Sequence, residues 1–227
     1  MPNWVSNHVQ CANTDALSRL RDFSLIIPEH PAIALLPGLA AQHAAQLYQQ
    51  GKSWRAVATD LAFVASLDQE QKDTPAKHRP TPERAARRYL LYCKVHGCVD
   101  WYNWRCEHWG SKWNVCHYRH HGSEVWFETA LMHPWPVLEA LSRQFPAEVF
   151  SVSYANEDLG SDTGTYEMQN GKLLTGGELD DGSREAFELA FFHWGGEEDY
   201  VLCDGNYHYR DDDEAGREDT SKSAPSA

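Results

Sequence analysis

The sequence lacks any apolar run long enough to cross a bilayer. Its apolar runs, such as Ala32–Leu36 and Ala190–Phe192, fall far short of the roughly 20 residues a membrane helix needs. No basic segment leading into an apolar one opens the chain, so no secretory leader and no membrane partner are expected. There is no C-x-x-C pair, no P-loop, and no G-x-S-x-G, H-E-x-x-H or paired-acid motif. These absences leave no reaction class named by the sequence. No catalytic residue, no cofactor and no bound metal are expected. Without a leader, the six cysteines are expected to be reduced thiols in a cytoplasmic protein.

Cationic charge is also scarce, and it is unevenly placed. Residues 1–130 hold 14 Lys and Arg against 12 Asp and Glu, whereas residues 131–227 hold 6 against 21. A surface that grips nucleic acid all round is therefore excluded. What is abundant is aromatic: nine Trp, ten Tyr and eight Phe in 227 residues. That content argues for a packed protein. The length suffices for a core that needs no metal or disulfide to fold.

Trp4–Cys11 reads as a strand, followed by a helix capped at Asn13 or Thr14. Prolines 28, 31 and 37 mark an irregular stretch. Residues 38–67 read as two helices broken at Gly51, the first with a face of Leu39, His43, Leu47 and Tyr48, the second capped by Ser53. Thr81-Pro82-Glu83 starts a third helix, which stops before Gly97, and Asp100 opens a fourth that ends at Gly110. From Lys112 the period changes to two. Trp113–Arg119 and Glu124–Ala130 read as paired strands. A helix from Pro134-Trp135-Pro136, a strand at Val149–Tyr154 and a hairpin about Asn170-Gly171 follow. A last helix from Gly182 or Ser183 and a small hairpin about Asp204-Gly205-Asn206 complete the order.

The expected fold class is α+β. Its core is a ferredoxin-like split β-α-β arrangement over residues 1–29 and 111–210, with a helical insertion at 30–110 between the first helix and second strand. Extra C-terminal hairpins and a helix follow. Residues 211–227 contain no large apolar residue and are expected to be a disordered acidic tail.

The opening Met1–Asn7, the stretch Asp100-Trp101-Tyr102-Asn103-Trp104-Arg105-Cys106-Glu107-His108-Trp109-Gly110-Ser111-Lys112-Trp113, and the later Trp126–Ala130 and Pro134–Leu138 segments resemble the YubB-type family of phages and plasmids. The resemblance covers residues 1–23 and about 97–195. It implies a ferredoxin-like domain carried by a mobile element in a bacterial host cell. It carries over no activity and no catalytic residue.

Several constellations bear weighing. Trp101, Trp104, Trp109 and Trp113 fall within thirteen residues. With Trp4 and Gly110 they read as a structural signature, a plug locking helix to sheet, rather than an aromatic platform for a ligand. Cys93, His96, Cys98, Cys106, His108, Cys116, His117, His120 and His121 depart from the paired spacing of zinc ligands. Lys77, Arg79, Arg84, Arg87, Arg88 and Lys94 form a basic group, and Arg84 and Arg88, four apart, share one face of the third helix. On Glu124–Ala130 the alternation puts Glu124, Trp126 and Glu128 on one face, an aromatic among acids. That face suits a protein partner better than RNA.

The expected function is therefore non-catalytic. The protein binds a host macromolecule, most simply a protein, and interference with a host defence system such as CRISPR is one version. One alternative is nucleic-acid binding through the basic 38–95 helices. Another is metal-independent RNA cleavage by His8, His117 or His121 with Tyr118 or Tyr154. A homodimer through the aromatic surface is a further expectation.

Overall fold

The computed structural model describes residues 3–29, 38–97 and 101–210. In chain order the elements are β1 (Trp4–Gln10), α1 (Thr14–Arg19), α2 (Leu39–Gln49), α3 (Trp54–Ala58), α4 (Leu61–Glu70), α5 (Pro82–His96) and α6 (Trp101–Trp109). Then come β2 (Cys116–His121), β3 (Glu124–Ala130), α7 (Trp135–Gln144), β4 (Val149–Asn156), β5 (Thr163–Gln169), β6 (Lys172–Glu178), α8 (Arg184–Trp194), β7 (Tyr200–Cys203) and β8 (Asn206–Tyr209). The chain divides into two units, residues 1–27 with 109–227, and residues 28–108. The expected acidic tail and the Asp100 helix start lie outside the described residues.

The first unit is built on an antiparallel sheet of order β2-β3-β1-β4-β5-β6. Its first four strands have the ferredoxin-like order, and the β5–β6 hairpin widens the sheet beyond β4. Alternation decides which side is the core. Val5, Asn7 and Val9 face it from β1, Val125, Phe127 and Thr129 from β3, and Phe150, Val152 and Tyr154 from β4; all nine are buried. Leu17, Leu20 and Phe23 from α1 and its extension, and Val137, Leu138 and Leu141 from α7, complete this core. The hairpin turns at Asn170 (φ 49°) and Gly171 (φ 68°), the left-handed pair that a tight two-residue turn demands.

Asn7, Thr129 and His133, polar residues in this core, are matched. His133 bonds Asn7 Oδ1 at 2.6 Å and the Tyr166 hydroxyl at 2.7 Å, and it stacks on Tyr154 at 4.0 Å. Asn7 Nδ2 donates to Val5 O and Thr129 Oγ1. Burial pushes the His133 pKa down to about 3, so the ring is neutral and the network closes without a buried charge.

The second unit packs α2 against α4 and α5, and α3 against α5. Two readings of the sequence need correction here. The helix expected from Ser53 to Leu67 is two helices. Asp60 caps α4 by accepting the Phe63 N–H at 3.0 Å, while the Thr59 hydroxyl donates to Arg55 O; both side chains compete with a continuous helix. In α2 the buried face is Ala40, Ala41 and Ala44, and Leu39 is 56% exposed. The alanines take the core because they permit close helix approach, so the face is rotated from the one the leucines mark.

Candidate functional site

The sheet face opposite the core carries Ser6 and His8 of β1, Glu124, Trp126 and Glu128 of β3, Arg119 and His121 of β2, and Ser153 of β4. α8 lies across part of this face. His193 sits between two hydroxyls, Nδ1 to Ser6 Oγ at 2.9 Å and Nε2 to Ser153 Oγ at 3.0 Å. Trp194 Nε1 donates to Ala155 O at 2.9 Å. Burial, and then the neighbouring His8, lower the His193 pKa to about 4. Its ring is a neutral structural pin.

The aromatic run Phe191-Phe192-His193-Trp194 cannot point one way on a helix, and this signal could have revealed α8's double duty. Phe187 and Phe191 face Tyr200 and Tyr207 of the β7–β8 hairpin. Phe192 leans instead on Trp126, ring centroids 5.4 Å apart, and remains 60% exposed. His8 stacks on Trp126 at 4.1 Å. Its Nε2 lies 3.0 Å from Glu124 Oε2, an oxygen that also accepts from Gln10 Nε2 at 3.3 Å. These bonds, first His8 and then Gln10, hold the Glu124 carboxyl below the usual range.

Beside this cluster β2 bulges between Cys116 and Arg119, with His117 at φ 48°. The bulge aims the His117 ring at Glu128, Nδ1 to Oε2 2.6 Å. A cavity of about 240 Å³ opens here, lined by Ser6, His117, Arg119, Trp126, Glu128 and His193. The expected cleavage partners are not in it. Tyr118 is on the core side, its hydroxyl donating to Leu17 O at 3.1 Å, and Tyr154 is buried against His133. Neither shares a face with His117, whose ring the bulge turns to Glu128 on the opposite side.

The tryptophan signature is not one plug. Trp109 and Trp113 belong to the first unit, Trp101 and Trp104 to the second. Trp109 is 1% exposed, edges onto Phe23 at 6.0 Å and donates Nε1 to Ile27 O at 3.0 Å. Trp113 lies 5.7 Å from Trp4. Gly110 (φ 68°) follows Trp109, and a Cβ there would stand 2.8 Å from His133 O. In the second unit Trp104 stacks on His108 at 4.4 Å, and the Arg105 guanidinium lies 5.3 Å from the Trp101 ring. Arg105 also forks onto Glu29, at 2.9 and 2.8 Å.

The basic group of α5 divides as well. Arg84 and Arg88, one turn apart, line a cavity of about 480 Å³ together with Lys77, His78 and Arg79. Arg87 turns away and lies 3.7 Å over the Trp54 ring of α3. Among the described residues no three His, Cys, Asp or Glu side chains converge as metal ligands. No helix among them is long and apolar enough to cross a membrane.

A family model described as the ferredoxin-like domain in Api92-like protein matches residues 109–200. The crystal structure of a protein api92 from Yersinia pseudotuberculosis aligns with 79% of this chain and 99% of its own, at 13% identity and a TM-score of 0.37. No curated protein matches the chain. The sheet order and the family model together make this an α+β protein carrying a ferredoxin-like domain similar to that of Api92-like proteins.

Proposed function

We propose that the protein is a non-catalytic binding module that engages a host protein through the sheet face of its ferredoxin-like domain. The observation that carries this is Phe192, 60% exposed and leaning on Trp126, within a polar surround of Arg119, Glu124 and Glu128. Interfaces concentrate their energy in such aromatic anchors, with arginine enriched beside them and a polar rim outside. Glu124 and Glu128 disfavour a polyanion on this face, so the fitting partner is a protein with a basic rim. The resemblance to YubB-type proteins supports a mobile-element origin and a partner in the host cytoplasm. Inhibition of a host defence system is its specific form. A second copy of the chain is the competing occupant of the patch.

The test is quantitative capture from host lysate. Wild type and Arg84→Ala are expected to retain the same protein. Phe192→Asp and Trp126→Ala are expected to lose it by about thirtyfold, the weight of one hot spot. Phe192→Asp should leave the melting temperature within about 2 °C, because its side chain is exposed. Capture indifferent to both substitutions, or RNA cleavage that disappears in His117→Ala, would overturn the proposal. Light scattering that shows a dimer dissolved by Phe192→Asp would reassign the patch to self-association.

A further inference from the structure

We infer that the basic cavity of the 28–108 unit binds a phosphate group, carried by a nucleotide or by a nucleic acid. Its floor is prepared by the chain itself. After α4, the Arg79 guanidinium donates to Thr74 O at 2.7 Å and Lys72 O at 2.8 Å, which pins the loop. The single helical turn Ala76–His78 then presents Lys77 and His78, and Thr81 caps α5 by accepting the Arg84 N–H. Lys77, His78, Arg79, Arg84 and Arg88 converge on about 480 Å³, a volume suited to a small ligand rather than a bare ion.

Two features point to an anion as the missing partner. Among the described residues no carboxylate forms an ion pair with Lys77 or Arg84. Arg84 also sits in the first turn of the fifteen-residue α5, where the helix dipole is positive and a cation is unfavourable. An anion held there offsets the cation that the dipole disfavours. The one acid in the lining, Glu70, has another task. Its Oε1 accepts the Ala40 N–H at the start of α2, 2.9 Å away, and burial raises its pKa. Arginine and lysine side chains together, with the buried Tyr89 as a wall, match a phosphate attached to an organic body.

The full chain tests this, titrated separately with ATP and with a labelled single-stranded RNA of about twelve nucleotides at about 50 mM salt. At least one probe is expected to bind. Lys77→Ala and Arg84→Ala should each weaken it about tenfold, the loss of one charge-assisted contact. Arg87→Ala and Phe192→Asp should not change it, which separates this site from the sheet face. Binding of ATP alone assigns the phosphate to a nucleotide. Binding of RNA that ATP cannot displace assigns it to a nucleic-acid backbone. The inference is overturned if neither probe binds, if binding survives the Lys77→Ala/Arg84→Ala double substitution, or if Arg87→Ala costs as much as Arg84→Ala. Circular dichroism of each variant verifies that the helices persist.

Discussion

The two units bury different kinds of side chain. The sheet unit fills its core with Trp109, Phe23, Phe127, Phe150, Leu138 and Met168, all essentially inaccessible. The helical unit buries Ala40, Ala41, Ala44, Ala58, Ala85 and Ala86 beside Leu67, Tyr89, Tyr92 and Trp104, with Phe63 as its largest fully covered residue among those described. Each buried methylene contributes about 0.8 kcal/mol, so the larger share of alanine leaves the helical unit with less stabilisation per buried residue. Charge divides along the same line. Residues 28–108 carry ten Lys and Arg against eight Asp and Glu, and the rest of the chain carries ten against twenty-five. The lesson is that net charge is the wrong description of this molecule. One unit is acidic with an aromatic anchor, and the other is near neutral with a basic cavity.

Acidification is expected to give the largest effect, and on the sheet unit. His133 is held at about 3, by burial and then by repulsion from His193, and His193 is held at about 4, by burial and then by His8, against an ordinary value of 6.5. Above pH 6.5 both rings are neutral, folded or unfolded, and they add no pH dependence. Below it the unfolded chain takes up two protons that the folded one refuses. Stability therefore falls as the pH drops from about 6.5 towards 4, by up to about 1.4 kcal/mol per pH unit for each histidine. Protonation of the many carboxylates eases self-repulsion lower in the range and opposes the loss, so pH 7 to 5 is the cleanest window. Urea unfolding in that window measures the slope. His193→Gln can still bond Ser6 and Ser153, and it is expected to roughly halve the slope. A flat profile in wild type would show that the buried rings do protonate in the folded state.

Much of the sheet unit was legible. Asn170-Gly171 placed its hairpin, alternation at Phe150, Val152 and Tyr154 placed a core face, and the β-α-β order gave the ferredoxin-like arrangement. These are local signals. What stayed hidden depends on partners far away in sequence. That Phe192 meets Trp126, or that His193 bridges Ser6 and Ser153, follows from α8 crossing the sheet, which no local period encodes. The start of β2 slipped for a similar reason. Asn114 Oδ1 accepts the Phe23 N–H and its Nδ2 donates to Asp22, so the chain leaves Trp113–Val115 outside the ladder. The bulge that aims His117 at Glu128 is likewise a feature of pairing, not of composition. In the helical unit the N-caps at Ser53 and Thr81 were readable, whereas the Asp60 cap was masked by the apolar residues around it.

The helical unit offers the next perturbation. If its alanines set a close approach between helices, Ala44→Leu overpacks the contact and should cost about 2 kcal/mol. Thermal unfolding followed by circular dichroism would show the shift. A neutral or stabilising outcome would mean that the unit is loosely packed, and the contrast with the sheet core would become one of density rather than side-chain size.

The smallest effect concerns Arg87, and it sharpens the comparison most. Its guanidinium lies 3.7 Å over the Trp54 ring, and Arg55 lies 4.6 Å from the same ring. Arg87→Ala removes one of the two cations and should destabilise the helical unit by about 1 kcal/mol, with Arg87→Lys recovering part of it. Arg84→Ala, three residues away, removes a cation that no described carboxylate pairs. Its loss should leave stability unchanged or improve it, because a repelling charge leaves the helix start. Opposite stability effects from neighbouring arginines would separate the cation that holds the fold from the one that faces the cavity. Equal losses would mean that both serve packing, and the basic character of this unit would be structural throughout.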